Sequence, residues 1–137
     1  MDMGKTVENA VIVAGFGCRK GISVAEIEAA LAAALERHGI AREAVAALAA
    51  PAIKGGEPAL STMAAELGLP LVLVPPRTLE AAADRAVTRS ERVVALMGVP
   101  SAAETAALAA AGPAGRLIGP RIAVGPVTCA LARGGGR

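Results

Sequence analysis

Apolar and polar positions along this chain switch between two periods. Residues 11–14, Val-Ile-Val-Ala, form a short unbroken apolar run of the kind a strand buried on both faces presents. From Ser23 the period becomes helical: Ile27, Ala30, Leu31, Ala34 and Leu35 fall on one face as far as His38, leaving Glu26, Glu28, Glu36 and Arg37 mainly to solvent. Ser23 with Glu26 three residues on has capping-box spacing, and Gly39 supplies the stop. A polar turn at residues 41–43 leads to a second strand at residues 45–50. Pro58 then opens a helix with Leu60, Met63, Ala64 and Leu67 on its apolar side and Gly68 at its end. Leu71-Val-Leu-Val74, between prolines, is the clearest buried strand of all.

Residues 77–83 read as a short helix. Residues 90–97 read as another, capped by Ser90 and closed by Gly98, with a strand through Val93, Val94 and Leu96 as the alternative. Ser101 caps a further helix, again with Glu104 three residues later. The apolar runs 116–124 and 127–132 are joined only by Gly125-Pro126, too short a gap for a crossover helix, so they should form an antiparallel hairpin. Strands alternating with helices predict an α/β fold: three layers, a mostly parallel sheet with helices on both faces, and a C-terminal antiparallel hairpin. The expected organisation is a flexible N-terminus over residues 1–9, a single domain over 10–133 and a disordered tail over 134–137, with no internal repeat.

Composition narrows the function classes. At 137 residues the chain can bury an ordinary core without disulfides or metal, although alanine inflates the 54% hydrophobic content. Phe16 is the only aromatic residue and the net charge is +2, so both the stacking platforms and the electrostatic grip of nucleic-acid binders are missing. The first nine residues mix charges of both signs and do not read as a signal peptide. No apolar stretch approaches a membrane span without a Gly, Pro or charge, so a cytoplasmic protein with no membrane or nucleic-acid partner is expected. Cys18 and Cys129 lie on different elements without metal-ligand spacing and are expected as reduced thiols; neither a metal nor an intrinsic cofactor is expected, and oligomeric state stays open.

The candidate chemistry lies after the first strand. Gly15, Gly17 and Gly21 are spaced G-x-G-x-x-x-G, which is neither a dinucleotide fingerprint nor a P-loop. Read as a turn ahead of a helix, they offer backbone amides to an anion, with Arg19 and Lys20 adding formal charge and Ser23 opening the helix. The ligand-binding set is therefore Gly15, Gly17, Cys18, Arg19, Lys20, Gly21 and Ser23. Cys18, beside two cations and a helix start, is expected to have a lowered pKa. His38, the only histidine, lies at the far end of that helix and reads as a last-turn residue, which leaves Cys18 without a base. Lys54 and Glu57 flank Gly55-Gly56 at the same sheet edge and join the binding set, doubling as candidates for an acid or base. Ser101 and Glu104 could offer a second anion contact, although Glu104 reads first as a capping carboxylate. Arg121 and Thr128 read as surface strand residues, Cys129 as a small core residue, and Arg116 and Arg133 as solvated.

Several segments carry a resemblance. Gly15-Phe-Gly-Cys-Arg-Lys-Gly-x-Ser23 resembles the opening motif of the CobE/CbiG C-terminal family of cobalamin-biosynthesis proteins. Lys54 with Glu57-Pro58 is similar to that family's lysine-then-acidic pair after the second strand. Gly98-Val-Pro-Ser-Ala-Ala-Glu104, continuing through Leu108, is similar to its G-V-x-S-V-A-E helix opening, and Val127 to Arg133 to its last strand. The match runs from about residue 10 to about residue 133 with compatible spacing. The resemblance implies a part in building the corrin ring, whose intermediates bristle with acetate and propionate carboxylates that suit a cationic turn. Full-length lactone-opening members carry further N-terminal domains for which this length has no room, so the stand-alone kind is expected. Three readings follow: a binder of a polycarboxylate corrin or precorrin intermediate that is handed between enzymes; an enzyme acting on that intermediate through Lys54 or Glu57, like the hydrolase of cobalt-precorrin-5A; or a non-catalytic module docking onto another pathway enzyme such as a ring methyltransferase.

Overall fold

The computed structural model describes residues 11–18, 21–52 and 57–134. In chain order the elements are β1 (Ile12–Cys18), α1 (Val24–His38), β2 (Val45–Pro51), α2 (Pro58–Leu67), β3 (Leu71–Val74), α3 (Pro76–Ala82), α4 (Glu91–Met97), α5 (Ala102–Ala111), β4 (Arg116–Leu117), β5 (Ile122–Val124) and β6 (Val127–Arg133). The sheet order is β3-β2-β1-β6-β4, with β5 also paired to β6. β1, β2 and β3 run parallel, and β6 lies antiparallel against β1 from Ile12↔Arg133 to Cys18↔Val127. The architecture is the expected α/β one.

Strand alternation divides the core. Ile12, Ala14 and Phe16 of β1, with Val127, Cys129 and Leu131 of β6, face the apolar sides of α1 and α2. Val13, Ala49, Ala130 and Ala132 face the other way, toward α3 and α5. All five residues expected on the inner face of α1 are buried. Its capping box is complete: Glu26 N donates to Ser23 Oγ at 3.1 Å and Ser23 N donates to Glu26 Oε1 at 2.8 Å. Gly39, in the left-handed conformation, ends the helix as expected.

Four expectations need correction. β1 does not stop at residue 14 but runs to Cys18, because β6 pairs with its whole length. β3 is the edge of the sheet rather than a buried strand, with Leu73 51% exposed; four apolar residues between prolines cannot distinguish a central strand from a short edge. The run 116–124 is broken: β4 and β5 pair in succession with β6, and the Gly125-Pro126 turn joins β5 to β6. Gly134 belongs to the folded part, its N–H donating to Val11 O at 2.6 Å, whereas residues 1–10 and 135–137 lie outside the described residues. The segment before Gly98 is the helix α4, not a strand. Among the described residues no single helix is long and apolar enough to cross a membrane.

Candidate functional site

The parallel strands present their carboxyl ends at one edge, and a cleft runs along it. One lobe, of about 430 Å³, is lined by Phe16, Gly17 and Cys18 of β1, Ala50 and Pro51 of β2, Leu71 and Leu73 of β3, Glu57, Pro58, Leu60 and Ser61 at the start of α2, and Leu96, Met97 and Ala102. Its neighbour, of about 440 Å³, shares Gly17, Cys18, Leu96, Met97 and Ala102, and adds Arg92, Val93, Arg121, the Gly125-Pro126 turn and Thr128. Both volumes fall within the usual range of small-molecule sites. The end of β1 and the side chains of α4 form the shared floor and wall. Leu96 is 71% exposed at the mouth, an uncommon cost for a leucine, and with Leu73 it gives the cleft an apolar rim.

The glycines of the first motif act differently from what their spacing suggests. Gly15 and Gly17 sit inside β1 rather than in a turn, and Gly15 is paired on both sides, with Ala49 and with Ala130. A Cβ on Gly15 would lie 2.3 Å from Ala103 O and 2.6 Å from Ala107 N, so its bareness lets α5 lie directly on the sheet. A Cβ on Gly17 would lie 2.8 Å from Thr128 Oγ1 and 3.2 Å from Ala102 Cβ. Thr128 Oγ1 in turn donates to Gly17 O at 3.2 Å. Gly21 alone keeps the turn role, with φ of 79° and open space around it. The amides of Ser23 and Glu26 are already engaged by each other's side chains in the capping box, so they are not available to an anion. Arg19, Lys20 and Lys54 lie outside the described residues.

Cys18 and Glu57 do come together across the cleft. Burial pushes the Cys18 thiol up from 9.0 to about 11, and the Glu57 carboxylate pushes in the same direction. The direction is opposite to the expected lowering, and the thiol holds its proton at neutral pH. Cys129 is fully buried in the core as expected, and burial raises its thiol further still. His38 stands at the opposite end of α1 with Nε2 buried and, among the described residues, without a hydrogen-bond partner, its ring packed against Gly119.

Ser101 and Glu104 are withdrawn from ligand contact. Both are fully buried, and Ser101 Oγ accepts from Glu104 N at 3.3 Å. The Glu104 carboxylate does not complete a capping box. Its Oε1 accepts from Val87 N at 2.9 Å and Thr88 N at 2.8 Å, and its Oε2 from Thr88 Oγ1 at 2.6 Å and Arg121 N at 3.0 Å. Arg121 is half-buried beside the cleft rather than on an open strand surface, and the exposed Arg92 of α4 lines the same lobe. Among the described residues neither is held in an ion pair. In the sequence Arg92 shows no sign of a role and Arg121 reads only as a surface strand residue, because an isolated arginine carries no motif; only the fold brings the two of them to one lobe. Among the described residues no group of His, Cys, Asp and Glu side chains is arranged to hold a metal ion.

Comparison with known proteins gives this arrangement a lineage. The family model described as cobalamin synthesis G C-terminus matches residues 12–132. The chain belongs to that family. Among curated proteins it is 34% identical over 127 residues to Protein CobE of Sinorhizobium sp., covering 93% of this chain and 82% of that one. The crystal structure of a CobE from the cobalamin (vitamin B12) biosynthetic pathway superposes with a TM-score of 0.86 at 33% identity over 90% of both chains. The cobalamin biosynthesis protein chiG of Agrobacterium tumefaciens does so with a TM-score of 0.73 at 39% identity, covering 90% of this chain and 98% of that one. This cobalamin synthesis G C-terminus protein is thus a cobalamin-biosynthesis protein of the CobE/CbiG kind, and its cleft is to be read in that setting.

Proposed function

We propose that the chain binds a polycarboxylate corrin or precorrin intermediate in the cleft at the carboxyl edge of β1, β2 and β3, and that it works in the cytoplasm. The observation that carries this reading is the polarity of the cleft. The lobe bounded by Leu71, Leu73 and Leu96 offers apolar surface to a macrocycle face, and its one carboxylate, Glu57, disfavours anionic side chains there. The neighbouring lobe holds Arg92 and Arg121, whose planar guanidiniums suit paired carboxylates. Arg19 and Lys20 directly follow β1 in sequence. The ligand's ring then lies against the apolar wall with its acetate and propionate groups toward the arginines. Exposed Leu73 and Leu96 at the rim fit a site from which a pigment passes to the next enzyme.

The raised pKa of the Cys18 thiol disfavours covalent catalysis by it, and an enzyme reading would rest on Lys54 or Glu57 as acid or base. Titration with hydrogenobyrinic acid, followed by the pigment's own absorption, tests the binding reading against a protein free of Trp and Tyr. Arg92→Ala and Arg121→Ala should each weaken binding about tenfold or more, since a charge-assisted contact is worth roughly 1.5–3 kcal/mol. Wild-type binding that both variants leave unchanged sinks the reading. Turnover of an isolated intermediate that vanishes in Lys54→Ala would establish an enzyme instead, and stable capture of a ring methyltransferase without pigment binding would establish a docking module.

A further inference from the structure

The carboxylate of Glu104 is fully buried and lines neither lobe of the cleft. It sits in the first turn of α5, with no cation against it among the described residues and four donors aimed at it. All four contacts are donated to it, the pattern an acceptor-only carboxylate takes, and the start of α5 adds a favourable dipole. None of these donors belongs to its own helix. Val87 and Thr88 lie in the loop that leads through Ser90 into α4, the helix carrying Arg92 and Leu96. Arg121 N is the backbone of the other cleft arginine, at the entry to β5. One side chain therefore ties together the two segments that carry the cationic groups, and α5 itself is fixed on the sheet by the bare Gly15.

We infer that Glu104 is the positioning residue of the anion lobe: it touches no ligand but sets the spacing between Arg92 and Arg121, so that both guanidiniums meet carboxylates of one pigment. The inference rests on the proposed pigment binding. A glutamine at this position would turn its NH2 toward one of the backbone donors, leaving that donor unpaired and releasing its segment.

The test is a double-mutant cycle read by hydrogenobyrinic acid titration, together with amide hydrogen exchange on the same proteins. Glu104→Gln should weaken binding at least fivefold in the wild-type background, yet less than twofold in the Arg92→Ala/Arg121→Ala background, because its effect passes through those side chains. It should also speed exchange at the Val87, Thr88 and Arg121 amides. An equal loss in both backgrounds marks general damage and overturns the positioning role. Fast exchange with unchanged affinity overturns it as well, while leaving the pigment reading intact. Absence of binding by the wild type overturns the pigment reading, and the dependent role with it. Should Glu104→Gln fail to fold, Thr88→Val removes a single hydroxyl contact and carries the same cycle, with about threefold weakening expected only where both arginines are present.

Discussion

Alanine in place of Gly15 tests the relation between helix and sheet on which the cleft depends. In a strand with open space, Gly→Ala would stabilise by about 0.5–1 kcal/mol, because glycine loses more backbone freedom on folding. Here the new Cβ would meet Ala103 O at 2.3 Å, Ala107 N at 2.6 Å and Ala107 Cβ at 2.8 Å. Two of those three atoms are backbone, so no rotamer change relieves them, and α5 must retreat as a body. That helix buries Ala103, Ala106, Ala107 and Leu108 completely, and every one of those contacts loosens if it moves. Overpacking of this kind costs on the order of 3 kcal/mol. For a domain of this size that is a fall of roughly 10 °C in the thermal midpoint. Far-UV circular dichroism suits a chain without Trp or Tyr. Adding Ala107→Gly to the Gly15→Ala protein should recover little, since it removes only the side-chain contact. A midpoint equal to or above wild type for Gly15→Ala would refute the packing argument and return Gly15 to the turn role its spacing suggests.

Further outcomes are expected elsewhere in the molecule. At pH 7 the Cys18 thiol, pushed up to about 11 from 9.0, should react with iodoacetamide about 100-fold more slowly than free cysteine, gaining tenfold per pH unit up to pH 10; a plateau below pH 9 contradicts it. Glu57→Gln should speed that reaction, because it removes a charge that opposes the thiolate. Both thiols keep their protons in the folded state beyond the pH at which the unfolded chain releases them. Stability should therefore be fully present below pH 9 and fall as pH rises toward 11; urea midpoints at pH 8 and pH 10 that decline no more in wild type than in Cys18→Ser would reject this. Ser23→Ala should cost about 1 kcal/mol through the lost capping box, read as a fall of a few degrees in thermal midpoint. Gly119→Ala, whose Cβ would lie 2.4 Å from His38 Cε1, should destabilise in the wild type but not in a His38→Ala background, and equal effects in both would dismiss the contact.

Much of the frame is legible from local chemistry. The capping box of α1, its five buried positions and Gly39 are all decided within a few residues, which is why they read correctly. Leu71 to Val74 reads as a strand for the same reason, yet its place at the sheet edge depends on which strands pair elsewhere. Gly15 and Gly17 mislead because a glycine that admits a helix and a glycine that turns a chain look alike until the partner, 88 positions on at Ala103, is known. Glu104 has capping-box spacing, but two segments distant in sequence, at residues 87–88 and at Arg121, compete for its oxygens and win. Cys18 shows the same limit in electrostatics: its sequence neighbours argue for a low pKa, while burial and Glu57, 39 positions away, reverse the sign. The edge on which the cleft opens follows from strand order, whereas Arg92 and Arg121 gain meaning only from folded proximity.

The strand translated last in this domain, β6, is also among the most central, pairing with β1 along its full length. A nascent chain lacking it would leave one side of β1 without a neighbour, so productive folding has to wait until the final strand clears the ribosome. The two ends of the described domain, Val11 and Gly134, meet through a direct hydrogen bond. A short peptide linking them would close the polypeptide into a ring, and new termini could then be opened at the polar turn before β2 without parting any strand from its neighbour.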